Sequence, residues 1–274
     1  MHSHHSDGTD APADVVAAAH RHGVRTLALT DHDTTTGWDE AASAAAALGM
    51  ALLPGIELSA RHGWHSVHVL GYLFDPAHDA IRTMTDRIRD ARFGRVRTMA
   101  DRIARDYDVT WEDIVAQTTD GATVGRPHIA DALVARGIVA DRGQAFARIL
   151  HPGSPYYIEH YAPEPVDAVG AIVAAGGVPV IAHPAARDGL LPARVVDDLL
   201  DAGLAGFELG HRENLPGPTE RLRRLCVRRD LIITGSSDYH GTGKHNLPGE
   251  NTTAPEMVAR IVERATGSAP LPPG

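Results

Sequence analysis

Cysteine is nearly absent: Cys226 stands alone among 274 residues, which rules out an internal disulfide and fits a reducing, cytoplasmic compartment. Long apolar runs are missing too. No stretch approaches the ~20 residues that a membrane-spanning helix needs, and no signal peptide is visible. Positive charge is in short supply, with 26 Lys and Arg against 35 Asp and Glu and a net charge of −9. A general surface for duplex DNA, which must neutralise many phosphates, is therefore excluded, whereas a local basic pocket for a short nucleotide is not. Aromatic residues make up only 5% of the chain, yet histidine occurs 17 times, an excess that points toward metal ligation.

What is present is an alternation of helical and strand-like segments. "PADVVAAAHRHG", "TGWDEAASAAAALG", "PVDAVGAIVAAGG", "PARVVDDLLDAG", "TERLRRLCVRRD" and "APEMVARIVERATG" have helical spacing. Several of them stop at glycine. Between them lie short apolar strands: "VRTLALTDHD", "ALLPGIELS", "HSVHVLGYLF", "VPVIAHP", "LAGFELG" and "LIITGSSDYHG". Repeated βα units predict a parallel sheet with helices outside, as a barrel or an open doubly wound sheet. From about residue 79 to 151 the pattern is helical only, which predicts an all-helical insertion. The expected organisation is a barrel formed by 1–78 and 152–266, the insertion at 79–151 and a disordered tail at 267–274.

Chemistry-bearing residues recur at the strands. Asp31, His32 and Asp33 follow "LALT", Glu57 follows "LLPGI", and "SVHVLGY" carries His68. His183 follows "VPVIA", Glu208 lies in "GFEL" with His211 beyond it, and Asp238 and His240 follow "LIITGSS". In a parallel βα barrel the C-terminal strand ends converge on one face. Imidazoles and carboxylates gathered there suit a transition-metal site, with carboxylates offsetting cation charge or bridging two ions. Asp238 and His240, two apart on an extended segment, are expected to point the same way. His5, His20, His22, His62, His65, His151 and His160 lack this placement and are read as surface residues.

With these residues in view, the chain resembles the PHP-domain metal-dependent phosphoesterases. The motifs "HSHHSDGTD", "LALTDHDT", "PGIELSA", "HVLGY", "VGRPHIADAL", "IAHP" and "GSSDYHG" occur in the family's order over nearly the whole length. The resemblance is to the branch whose helical insertion carries "GRPHIA" and whose members act on 3′,5′-bisphosphorylated nucleotides or, as 5′-to-3′ exonucleases, on short RNA. It implies an α/β fold, a distorted (β/α)7 barrel, holding two or three divalent ions, with Mn preferred and Fe or Zn as alternatives. It implies that Glu57 bridges two ions, that His68 and His183 bind one of them, that Asp238 binds the other, and that Asp7, His32 and His240 bind a third. Arg126, His128, His211 and, less directly, Lys244 fall at substrate positions. Where the family has a second histidine three residues after the His211 position, this chain has Asn214.

The N-terminal motif fits in two registers. His2 and His4 can form its histidine pair, at the cost of two missing residues before Ser6-Asp7-Gly8. Alternatively His2 is the second histidine, which preserves Ser3 and the spacing to Asp7 and places the first histidine upstream of residue 1. The second register is preferred. It predicts a truncated first barrel strand, with an open sheet edge and one missing ligand.

The expected chemistry is phosphoester hydrolysis by a metal-activated water whose pKa falls toward ~7. His240 or Asp31 is expected to assist proton transfer, and Arg126 to hold a non-reacting phosphate with its bidentate fork. The expected partner is a small phosphorylated nucleotide or short RNA, with no membrane or duplex DNA involved. The alternatives are a histidinol-phosphate phosphatase and a metal-binding module with impaired catalysis.

Overall fold

The computed structural model describes the chain except for residues 120, 121, 160 and 187–189. Helix α1 (Pro12–Arg21) starts at a proline, carries an acidic first turn and buries Val15, Val16 and Ala19. It leads into strand β1 (Thr26–Leu29), helix α2 (Trp38–Ala47) and strand β2 (Ala51–His62). Val15, Val16, Ala19, Leu27, Leu29, Ala41 and Leu52 pack these elements together.

Strand β2 turns directly into β3 (His65–Tyr72) through Gly63 and Trp64, with Gly63 at φ 57°. A two-residue connection can only return the chain antiparallel, since a parallel crossover needs a dozen residues or more. This corrects the expectation of an all-parallel sheet: β3 is antiparallel to β2, and also to β4 (Val178–Ile181).

Between β3 and β4 run helices α3 (Asp79–Ile103), α4 (Trp111–Val115), α5 (Arg126–Ala135) and α6 (Arg142–Arg148), followed by α7 (Pro165–Ala174). Helices α3 to α6 share a core of their own, built from Val96, Met99, Ile103, Ile114, Ile129, Leu133 and Ile149. They form a helical lobe.

The chain then resumes strict alternation through α8 (Ala193–Asp201), β5 (Gly206–Gly210), α9 (Pro216–Arg229), β6 (Ile232–Gly235) and α10 (Pro255–Arg264). β4 to β6 are parallel. The whole is an α/β structure around one sheet in the order β1-β2-β3-β4-β5-β6. Ile56, Leu58, Val69, Phe74, Ile172, Leu199 and Phe207 form its largest core. Gly206 permits the close β5–β6 approach, because a Cβ there would sit 2.0 Å from the Ile232 carbonyl oxygen.

Six strands are formed among the described residues, against seven expected. Between the ends of β1 and β6 lie Met1 and His2: the Thr30 N–H donates to the Met1 carbonyl at 2.9 Å, and the His2 N–H to the Tyr239 carbonyl at 2.9 Å. Below them a cavity of about 390 Å³ follows the seam.

The C-terminal residues differ from the disorder expected of a proline-rich tail. Leu271 and Leu52 exchange both backbone hydrogen bonds, and the Ser268 N–H donates to Leu73. No helix among the described residues is long and apolar enough to cross a membrane.

Candidate functional site

The N-terminal loop is pinned at the mouth of the sheet by Asp31. Its carboxylate accepts the Ser3 N–H at 2.7 Å, the Ser3 hydroxyl at 2.7 Å and the Ser6 hydroxyl at 2.6 Å. Asp31 thus holds the loop and stands outside the ligand groups. Gly8 lets the loop close on itself, because a Cβ there would lie 2.4 Å from the His2 carbonyl oxygen. This closure delivers His2 and Asp7 to the same place.

Glu57 is buried at the centre and faces three imidazoles: His68 Nδ1 at 2.6 Å, His2 Nε2 at 3.0 Å and His183 Nε2 at 3.4 Å. Asp238 Oδ1 lies 3.2 Å from His2 Nε2, while its Oδ2 meets Lys244 Nζ at 2.6 Å and His211 Nε2 at 3.5 Å. Asp7 faces His240 Nε2 at 3.1 Å and His32 Nε2 at 3.9 Å. Glu57 and His68 sit within strands of the hairpin rather than beyond strand ends, whereas His183 and Asp238 follow their strands in left-handed backbone, with φ of 30° and 50°. Such conformations cost about 1–3 kcal/mol each and are concentrated at functional sites. The left-handed turn at Asp238 corrects the extended geometry expected for the Asp238–His240 pair, though both residues still reach the cluster.

The electrostatics follow from close packing. Burial would lower the His2 imidazole, but hydrogen bonds to Asp238 and Glu57 hold it up at about 10. His183 is likewise raised to about 9 against burial, by its hydrogen bond to Glu57. Burial would raise the carboxylates, yet His32 and His68 hold Glu57 well below the usual range; His240 and Lys244 do so for Asp238, and His240 and His32 for Asp7. Burial pushes His32 and His240 down.

Three groups of side chains have ligand atoms close enough to share a cation: His2, Asp7, His32 and His240; His32, Glu57 and His68; and His2, Glu57 and Asp238. Glu57 belongs to two groups, as a bridging carboxylate would. Among the described residues, His2 Nδ1, Asp7 Oδ1, His211 Nε2 and His240 Nε2 are buried without a hydrogen-bond partner. Buried polar atoms of this kind are costly unless something fills the space between them. The donor set is imidazole and carboxylate with no thiol, which suits Mn, Fe or Zn.

The remaining expected residues are placed as follows. His4 stands apart from all three groups; its ring faces His5. Glu208 accepts the His183 N–H at 3.1 Å and orients that residue, with burial raising its carboxyl pKa. Asn214 bonds the Glu208 carbonyl at 2.8 Å and the Ala185 N–H at 3.0 Å, tying together the loops after β4 and β5. His128 is buried, and its Nδ1 accepts the Gly125 N–H at 3.1 Å. It lines a separate cavity with His4 and Arg142. Arg126 shares a cavity of about 790 Å³ with His68, His183 and Lys244. Of the histidines read as surface residues, His20 and His22 are exposed, while His5, His62 and His151 are half-buried. His65 is buried at the hairpin tip, which corrects its reading as a surface residue, and His160 lies outside the described residues.

A group of guanidiniums that the sequence pattern does not single out lies beside the cluster. Arg92 of α3 pairs with Asp33 at 3.0 Å, and Asp33 is itself held by Ser59. Arg95 and Arg126 lie over the Tyr157 ring at 5.1 and 5.4 Å. Burial and the neighbouring Arg126 push Arg95 down to about 9, while burial and Arg92 lower Arg126. Like charges held this close favour an anion between them. The signal available in sequence was the i, i+3 pair in "RFGR".

Buried imidazoles and carboxylates at the mouth of a βα sheet, with guanidiniums alongside, define a metal-dependent hydrolase of phosphorylated substrates. Comparison with known proteins agrees: the PHP domain model matches residues 1–121. A 3′,5′-nucleoside bisphosphate phosphatase of Chromobacterium violaceum is 36% identical over 253 residues, covering 89% of this chain and 87% of that protein. A 5′-3′ exoribonuclease of Haemophilus influenzae is 32% identical, covering 87% and 88%. The crystal structure of a protein from Bifidobacterium adolescentis, proposed to be a metal-dependent phosphoesterase, superposes with a TM-score of 0.95 at 41% identity, covering 97% and 95%. The chain belongs to the PHP family and is a phosphoester hydrolase that depends on divalent metal ions.

Proposed function

We propose that the protein removes the 5′-phosphate from 3′,5′-bisphosphorylated nucleotides, or the 5′-terminal nucleotide from short oligoribonucleotides. One observation carries this reading: Arg126 and Lys244 open onto the same cavity as His68 and His183. A substrate with one phosphate at the cluster and a second some distance away fits that arrangement. A single-phosphate substrate such as histidinol phosphate, bound at the cluster, does not reach the part of the cavity lined by Arg126.

Two or three divalent ions, with Mn as the best match and Fe or Zn as alternatives, would be held by His2, Asp7, His32, Glu57, His68, His183, Asp238 and His240. When bound they supply Lewis-acid stabilisation of phosphoryl oxygens and make a nearby water acidic. The chain's own groups do the rest. Arg126 holds the phosphate that is not cleaved, with Arg92 and Arg95 adding positive charge around it. Lys244, flexible and cationic, moves from Asp238 to a phosphoryl oxygen. His240 Nδ1 lies 2.7 Å from the Asp238 carbonyl oxygen, so its proton sits on Nδ1 and Nε2 keeps a lone pair. This makes His240 a ligand rather than a proton carrier. His211 has the opposite tautomer: its Nδ1 accepts the Glu213 N–H at 3.2 Å, which leaves the proton on Nε2, facing Asp238. His211 is therefore placed to donate a hydrogen bond from Nε2 to a phosphoryl or leaving oxygen beside Asp238.

The test is phosphate release from adenosine 3′,5′-bisphosphate and from histidinol phosphate in the presence of Mn²⁺. The expected result is turnover of the first and little of the second. A preference for histidinol phosphate, or no turnover of either together with none of an aryl phosphate, contradicts the proposal.

A further inference from the structure

The cavity that holds Arg126 and Lys244 extends well past the metal cluster, and nothing in the reaction at one phosphate accounts for its far end. Its volume of about 790 Å³ lies near the top of the range for small-molecule pockets. In a chain of net charge −9, five cationic side chains line it against two carboxylates. Three of the five, Arg221, Arg228 and Arg229, belong to α9, where they flank Leu222 and Leu225 on one face. Arg221 and Arg228 are exposed and have no acidic partner among the described residues; Arg229 lies 4.0 Å from Asp197. Arg223 and Arg224, on the other side of the helix, pair instead with Glu220. Seven residues separate Arg221 from Arg228, about 10 Å along a helix. That is the length of roughly three stacked nucleotides at 3.4 Å each. At the hairpin tip, His65 also lines the cavity, and Trp64, 74% exposed, stacks on it with ring centroids 3.7 Å apart.

We propose that this cavity is a track for the nucleotides downstream of the cleaved phosphate in a single-stranded oligoribonucleotide. Arg221, Arg228 and Arg229 neutralise successive backbone phosphates, and the Trp64–His65 stack carries a base. The track makes the enzyme prefer strands of about three to five nucleotides over a mononucleotide. The identity of the substrate as a phosphoester rests on the function proposed above, but binding along the track does not require cleavage. A row of cationic side chains along a groove with an aromatic stack at its end is the pattern of non-sequence-specific single-strand binding.

The experiment measures binding of a fluorescent 5′-phosphorylated pentaribonucleotide to the full chain over a range of salt, in EDTA so that the strand stays intact. Adenosine 3′,5′-bisphosphate serves as a competitor. The wild type is expected to bind the pentamer at least tenfold more tightly than the bisphosphate. Arg221→Ala/Arg228→Ala is expected to lose most of that advantage and to flatten the log K against log salt slope by about 1.4, or 0.7 for each phosphate contact. Its affinity for the bisphosphate should stay within twofold. Trp64→Ala should weaken the pentamer alone, by roughly 5- to 150-fold. Arg223→Ala/Arg224→Ala removes equal charge from the other face and should leave the slope unchanged. The proposal is overturned if the pentamer binds no tighter than the bisphosphate, if both arginine pairs flatten the slope equally, or if the Arg221/Arg228 variant loses both ligands alike. Hydrolysis of the bisphosphate with Mn²⁺, measured in parallel, reports separately on the metal site: wild type that binds the pentamer through the track yet cleaves no phosphoester upholds the track and refutes the reaction.

Discussion

Loading the site with metal should expel protons, and the number follows from two residues. In the metal-free chain His2 is held at about 10 and His183 at about 9, so both carry a proton at pH 7.5. Each must lose it to offer a lone pair to a cation. Filling the cluster should therefore release about two protons, and its apparent affinity should rise about 100-fold per pH unit between pH 6.5 and 8.5. One proton per unit corresponds to 1.36 kcal/mol, so two give about 2.7 kcal/mol. The same shifts govern stability without metal, with a definite sign. His2 and His183 have raised values, so their contribution is fully present below the ordinary histidine value of 6.5 and fades as pH rises through 9 and 10. Glu57, Asp7 and Asp238 have lowered values, so theirs is present above about 4.5 and is lost on acidification. His32 and His240 have lowered values, so their contribution is present above 6.5 and is lost as pH falls below it. The metal-free protein should therefore be most stable near pH 6.5, while the metal-loaded form should gain relative to it as the pH climbs toward 9. Calorimetric titration with Mn²⁺ in two buffers of different ionisation enthalpy counts the protons directly. Release of fewer than one, or an affinity flat across that range, would refute the assignment of His2 and His183 as protonated ligands in waiting.

Three substitutions probe the rest. Glu57→Gln removes the carboxylate shared by two ligand groups; turnover of an aryl phosphate should fall at least about 10³-fold, since a cation's charge stabilisation there amounts to several kcal/mol. In Gly8→Ala the new Cβ meets the His2 backbone and springs the loop that carries His2 and Asp7; metal content by elemental analysis should drop while the helical circular dichroism signal persists. Arg126→Ala should lower kcat/KM for adenosine 3′,5′-bisphosphate about 10- to 150-fold, the value of a hydrogen bond to a charged group, and leave an aryl phosphate within twofold. Equal losses on both substrates would mean that Arg126 is structural.

Much of the candidate metal cluster is legible in the sequence, for a reason that particular residues make plain. Glu57, His183, Asp238 and His240 each lie in or just after a short apolar strand, and a βα sheet brings such positions together whatever the sequence distance. His4 illustrates the limit. It sits two residues from His2, but one turn of loop, set by Asp31 and Gly8, decides which ring points inward. The antiparallel β3 is hard to read because Gly63-Trp64 lacks the familiar hairpin signature, so the strand pair resembles two βα units. Arg92 and Arg95 are hidden among the charges of a long helix; what buries them, Asp33, Ser59 and Tyr157, comes from distant parts of the chain. The tail has the composition of a disordered segment, yet Leu271 finds the free edge of Leu52.

Glu57 and Asp238 are expected to hold neighbouring divalent ions. Anomalous diffraction from crystals soaked in Mn²⁺ tests it most directly. At least two anomalous peaks are expected, each within about 2.5 Å of a carboxylate oxygen and with Glu57 touching both. A map with no peak at Glu57, or with manganese bound only elsewhere on the surface, would contradict it.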